Sequence, residues 1–180
     1  FLDAPECRPA FEAAAWLGVP VFVHPVNPAG YTDHLRQLGH PGVLMARGTE
    51  AAAGVYALIR GGVLAALPDL TVVMPLIAGG LLFFAGIIDN DAPPDGPRPS
   101  ALLRRLYIDT MGFNADAIRA TIEVVGAEHV ITGSDWPILP LPARGDVEAT
   151  LATLDLSPAE RAAILGGTTH RLLMRRTASV

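Results

Sequence analysis

Four short apolar runs, separated by stretches of helical period, constrain this chain more than any other feature. Val19–Val23, Leu70–Met74, Leu106–Ile108 and Val130–Thr132 are rich in β-branched and large aliphatic residues. None alternates with polar residues as a half-exposed strand would, so each reads as a strand buried on both faces. A helical pattern over Ala10–Leu17 precedes the first run, helical patterns at Leu35, Leu38, Val43 and Leu44, over Thr49–Ala66 and over Asn114–Val125 lie between the runs, and after the last come Val147–Leu154, Ser157–Leu165 and Thr168–Met174. Gly18 and Gly126 stop two of these helices, Asn114 is placed to cap one, and Ser157-Pro158-Ala159-Glu160 is a helix start. Strands alternating with helices require right-handed crossovers and a parallel sheet.

The strand ends carry the unusual residues. The first run ends in His24-Pro25, the second leads to Gly79-Gly80, the third ends in Asp109-Thr110, and the fourth in Gly133-Ser134-Asp135-Trp136-Pro137. A parallel sheet brings these tips to one face, where α/β folds keep their chemistry. Asp135 is the leading functional candidate. A carboxylate between a buried strand and a tryptophan is costly unless an ion or a proton partner compensates it. His24, on the same face, reads as a neutral-imidazole metal ligand beside it. Asp109 hydrogen-bonds loop backbone or touches substrate, and the first of these is favoured. Trp136 packs or lines a pocket. His34, His40, His129 and His170 share no ligand spacing and read as exposed or locally bonded.

Composition narrows the function classes. The chain of 180 residues is 51% hydrophobic, 17% charged and carries a net charge of -5, with no basic cluster. It offers nucleic acid no electrostatic footing. A single cysteine, Cys7, cannot form an internal disulfide, so nothing implies an oxidising compartment and a cytoplasmic location is expected. Leu70–Ile88 holds no charged residue and approaches the length of a bilayer span of about 20 residues. Pro75, Gly79, Gly80 and Gly86 interrupt it and no Lys or Arg flanks it, which favours a strand, a glycine turn and a buried helix start over a membrane helix. The proline-rich Pro137–Gly145 reads as a loop over the end of the fourth strand. The chain starts at Phe1 with no signal-peptide pattern, and reads as internal to a longer protein.

Taken together these segments resemble the amidohydrolase-related family, in its aminocarboxymuconate-semialdehyde-decarboxylase-like branch. "GVPVFVHP" resembles the family's fifth-strand metal-histidine motif, "YIDTMGF…VVGAEHVITGSDWP" its seventh- and eighth-strand block, and "ILGGTTHRLL" its terminal helix, usually written with Asn-Ala where Thr168-Thr169 stand. The resemblance implies a TIM (β/α)8 barrel, of which residues 1–180 are a partial domain: the C-terminal half, about four β/α units, strands 5–8. A typical barrel of this kind needs about 250 residues. The expected structure is therefore an open four-stranded parallel sheet with an exposed apolar inner face. The resemblance further implies a divalent metal, most often zinc, held in part by His24 and Asp135. It makes Asp135 catalytic, with Asp109 and Trp136 near a small carboxylate or aromatic-acid-like substrate that is hydrolysed or decarboxylated without oxidation. Two departures stand out. The first-strand His-x-His pair has no counterpart, and "LIAGG" puts Ile77 where the sixth strand carries a histidine in His-x-Gly-Gly. Ile carries no proton and binds no metal. The alternative is a degenerate, non-catalytic or metal-independent member that binds a ligand or partner. An open half-barrel also invites association, so a homo-oligomer is expected.

Overall fold

The computed structural model describes residues 2–27, 30–92, 94–138 and 146–174. In it the four apolar runs form one open parallel sheet in the order β1-β2-β3-β4, made of β1 (Val21–Phe22), β2 (Val72–Met74), β3 (Tyr107–Asp109) and β4 (Val130–Ile131). Phe22 lies opposite Val73, Val73 opposite Tyr107, and Asp109 opposite Ile131. Helix α1 (Arg8–Leu17) precedes β1, and α2 (Tyr31–Arg36), α3 (His40–Arg60) and α4 (Val63–Ala66) cross to β2. The next crossover holds α5 (Ala85–Ile88) and α6 (Pro99–Leu103), and α7 (Ala115–Val125) joins β3 to β4. Helices α8 (Val147–Ala152), α9 (Pro158–Ala162) and α10 (Thr168–Leu173) close the chain.

The helix starts behave as their sequences require. Asn114 Oδ1 accepts from Ala117 N at 2.9 Å, and Ser157 with Glu160 forms a reciprocal capping box. Helix, expected at Leu35, Leu38, Val43, Leu44 and over 49–66, is found in α2, in the 21-residue α3 from His40 and in α4; Leu38 falls in the turn between α2 and α3, and Gly61-Gly62 separates α3 from α4. Of the Pro137–Gly145 loop, residues 139–145 lie outside the described residues.

Alternation of side chains sorts the sheet into two faces. Val72, Met74, Ile108 and Val130 point into the main core, with Val55 and Leu58 of α3, Leu103 of α6 and Ile118 of α7, all fully or nearly fully buried. Val73 and Ile131 lie on the opposite face. They are not exposed as a bare half-barrel face would be, because Leu172 of α10 folds over them beside Tyr107. An amphipathic terminal helix covers the apolar surface nearest to it. Phe22, on the edge strand β1, remains 58% exposed.

The uncharged stretch 70–88 becomes β2, a turn of positive φ over residues 76–80, a short 3-10 segment to Phe84, and α5. Its helix start is not buried as the sequence suggested: Leu81 and Ile88 face the core, and Phe83, Phe84 and Ile87 are exposed. Among the described residues no helix is long and apolar enough to cross a membrane.

Candidate functional site

The tips of the four strands converge on a cavity of about 190 Å³ lined by His24, Arg47, Leu76, Asp109 and Asp135, with Pro25, Leu44, Pro75 and Met111 as walls. Leu44, Leu76 and Met111 also border a larger apolar cavity of about 660 Å³, which extends past Ile77, Phe83 and Phe113.

Asp109 organises the floor. Its Oδ1 accepts from the amides of Leu76 at 2.9 Å and Met111 at 3.0 Å, tying the β3 tip to the turn after β2. Burial pushes its pKa up from 3.8 to about 6. The Met111, Ile77 and Leu76 amides pull the other way, and the charge of Asp135 adds to the rise. Gly133 is required here, since a Cβ at that position would come 2.6 Å from Asp109 Oδ2. Buried Thr110 then fixes the β4 tip: its hydroxyl accepts from Gly133 N at 3.2 Å, and its amide donates to Ile131 O at 3.0 Å.

The turn held by Asp109 is left-handed. Leu76, Ile77, Ala78, Gly79 and Gly80 all have positive φ. For the three non-glycine residues this costs roughly 1–2 kcal/mol each. The turn persists because Asp109 accepts its amides, Ala78 is fully buried, and the Gly79 backbone packs directly on the Gly48 carbonyl of α3, where no Cβ fits. Leu76 lines both this cavity and the neighbouring apolar one, whereas Ile77 lines only the apolar cavities among those described and packs over Gly112. No histidine stands at either position.

Asp135 sits at φ 52, in a turn closed by Ile138 N donating to Asp135 O at 2.8 Å. The residue is half-buried, yet its Oδ2 is buried and has no hydrogen-bond partner among the described residues. An orphaned anionic oxygen of this kind fits a cation. His24 is exposed at the cavity edge, on the loop after β1. Glu50 of α3 pins that loop by accepting from Val26 N at 3.0 Å and Asn27 N at 2.9 Å. His24 and Asp135 suit a divalent ion as part of a ligand set. Among the described residues no group of three His, Cys, Asp or Glu stands ready to hold a metal. Trp136 is 72% exposed and borders neither this cavity nor the apolar one, because the turn at Asp135 swings it outward.

Arg47 and Glu50 went unread in the sequence. They sit one helical turn apart within the Ala- and Gly-rich α3, and no local pattern ties them to a strand tip. Leu76 was missed because a run of positive φ is not legible in hydrophobic periodicity.

A family model described as Amidohydrolase matches residues 1–175. The 2-amino-3-carboxymuconate-6-semialdehyde decarboxylase of Dictyostelium discoideum is 29% identical over 144 residues, covering 76% of this chain and 40% of that protein. The gamma-resorcylate decarboxylase of Rhizobium radiobacter is 27% identical over 150 residues, with 76% and 46% covered. The chain thus spans less than half the length of these curated relatives. Among solved structures, 5-carboxyvanillate decarboxylase from Sphingomonas paucimobilis superimposes with TM-score 0.80 at 26% identity, covering 96% of this chain and 54% of that one. A dihydroxybenzoic acid decarboxylase from Polaromonas, with bound manganese and 2-nitroresorcinol, shares the fold at TM-score 0.77 and 22% identity, covering 96% and 55%.

Proposed function

This chain belongs to the amidohydrolase family, and from that premise we propose that it is the C-terminal half of a metal-dependent, non-oxidative decarboxylase of small aromatic carboxylates. The observation that carries the reading is the buried Asp135 Oδ2 at a strand tip, without a partner among the described residues, in a cavity shared with His24. The decarboxylases it resembles favour loss of CO2 over hydrolysis. The half-barrel reading, with β1–β4 as strands 5–8, is supported by the open edges of β1 and β4 and by coverage of little more than half of the matched structures.

In this scheme His24 and Asp135 would hold part of a divalent cation's ligand shell, with the remaining ligands supplied from outside the described residues. When bound, the cation supplies Lewis-acid stabilisation of the substrate's carboxylate and developing ring charge. As the bond between ring and carboxyl carbon breaks and CO2 leaves, the electron pair stays on the ring carbon, which must take up a proton. Leu76 cannot deliver one. Asp135, having first taken a proton from solvent, would be placed to deliver it and would return to its carboxylate form. Leu76, Leu44 and Met111 form an apolar wall that excludes water from that carbon. The proposal includes zinc as the ion, a homo-oligomer built on exposed apolar surface such as Phe83 and Phe84, and a cytoplasmic location. A non-catalytic relative is the weaker reading, since the curated relatives above are decarboxylases.

The test uses the intact protein, assayed for CO2 release from 2,6-dihydroxybenzoate and 5-carboxyvanillate, with elemental analysis for zinc and manganese. Chelation should abolish turnover, and Asp135→Asn should lower kcat by about 100-fold or more. Turnover that survives both treatments, or no CO2 from any aromatic carboxylate tried, refutes the reading.

A further inference from the structure

We propose that Arg47 is the residue that grips the substrate's carboxylate and selects for it, an inference that rests on the reading above. Arg47 lines the strand-tip cavity with His24, Asp109 and Asp135, and is half-buried there. Its Nε donates to Asn27 Oδ1 at 2.9 Å, which fixes the plane of the guanidinium. The Asn27 side of that contact is itself held, because Glu50 accepts the amides of both Val26 and Asn27. The two terminal nitrogens have no protein acceptor among the described residues, and Arg47 forms none of the ion pairs found there.

A cation against walls such as Leu44, Leu76 and Met111 is costly unless an anion completes it. The nearby carboxylates do not fill that role. Glu50 is used by the loop amides, Asp109 by the amides of Leu76 and Met111, and neither Asp109 nor Asp135 pairs with Arg47. What remains is a pre-oriented fork of N–H donors, the geometry that recognises a carboxylate through two parallel bonds. A carboxylate ligand in this cavity also faces the negative charge of Asp135 and, above its pKa, of Asp109. Arg47 is the fixed positive charge on the chain that offsets them. Among the described residues lining the cavity, Arg47 is also the one arginine.

The experiment measures binding of two probes to the intact, metal-loaded protein by titration calorimetry: 2,6-dihydroxybenzoate, and resorcinol, which keeps the ring and hydroxyls but lacks the carboxylate. Arg47→Ala should weaken the benzoate by about 10- to 100-fold and leave resorcinol within about twofold. Arg47→Lys should recover only part of the loss, and added guanidinium should restore part of it in Arg47→Ala. A benzoate affinity unchanged in Arg47→Ala overturns the proposal. So does an equal loss for both probes, which would mean that Arg47 only positions the Asn27 loop. CO2 release followed in the same samples separates the two readings. Arg47-dependent binding without turnover refutes the decarboxylase and keeps the carboxylate grip, and turnover with Arg47-independent binding does the reverse.

Discussion

Replacing Asp109 by Asn and by Ala isolates what its burial costs and what its hydrogen bonds return. Its folded pKa, about 6, lies above the ordinary 3.8, chiefly because burial disfavours the charged form. The stability this group contributes is therefore present in full below about pH 4 and is lost as the pH rises through about 6. A displacement of this size corresponds to roughly 3 kcal/mol at pH 7.5 as an upper bound. Asp109→Asn keeps an oxygen to accept from Leu76 and Met111 and removes the charge. Asp109→Ala also removes the charge but orphans both amides, which costs about 1–3 kcal/mol each. The assay is thermal unfolding of the chelated, intact protein between pH 4 and pH 8. For a chain of this size each kcal/mol moves Tm by roughly 2–4 °C. Asp109→Asn should match the wild type near pH 4 and exceed it by several degrees at pH 7.5. Asp109→Ala should follow a parallel curve displaced downward. A gap between Asp109→Asn and wild type that does not change with pH would refute the burial argument. Equal stability of Asn and Ala would refute the role of the two amide bonds.

Two further outcomes test the turn after β2. At Gly79 a Cβ collides with the Gly48 carbonyl, so Gly79→Ala should destabilise by roughly 2–5 kcal/mol. At Gly80 the added Cβ meets nothing within 4 Å, so Gly80→Ala should cost only the left-handed strain of about 1–2 kcal/mol; equal Tm losses for the pair would argue against the packing described. Leu76→His should add a titrating limb near pH ~6.5 to kcat/KM and raise it by about tenfold or more, and Ile77→His should do neither. The opposite pattern would place Ile77, one residue later, at the strand tip.

The legible part of the site was what local rules express. The alternation of apolar runs with helical periods implied the parallel sheet. A carboxylate after Val130–Thr132 marked Asp135 as a strand-tip residue, and His24-Pro25 marked another. Asp109 came out as expected, bonded to loop backbone, and it also shares the cavity wall. The reading failed where conformation or contact was decided elsewhere. The left-handed turn persists because Asp109, Gly48 and Gly133 accommodate it, so no local pattern announced that Leu76 would border the cavity. Trp136 was expected to pack and is exposed, since the turn at Asp135 directs it outward.

By itself, then, the sequence determined which segments become strands and helices, where they cap, and which residues end the strands, because these depend on neighbours a few positions apart. Only the tertiary structure decided that Leu76 faces the carboxylates, that Leu172 covers Val73 and Ile131, and that Arg47 joins His24 and Asp135 in one cavity. Those outcomes depend on close contacts between residues distant along the chain. Their energy comes from burying and pairing groups that no short window of sequence contains together.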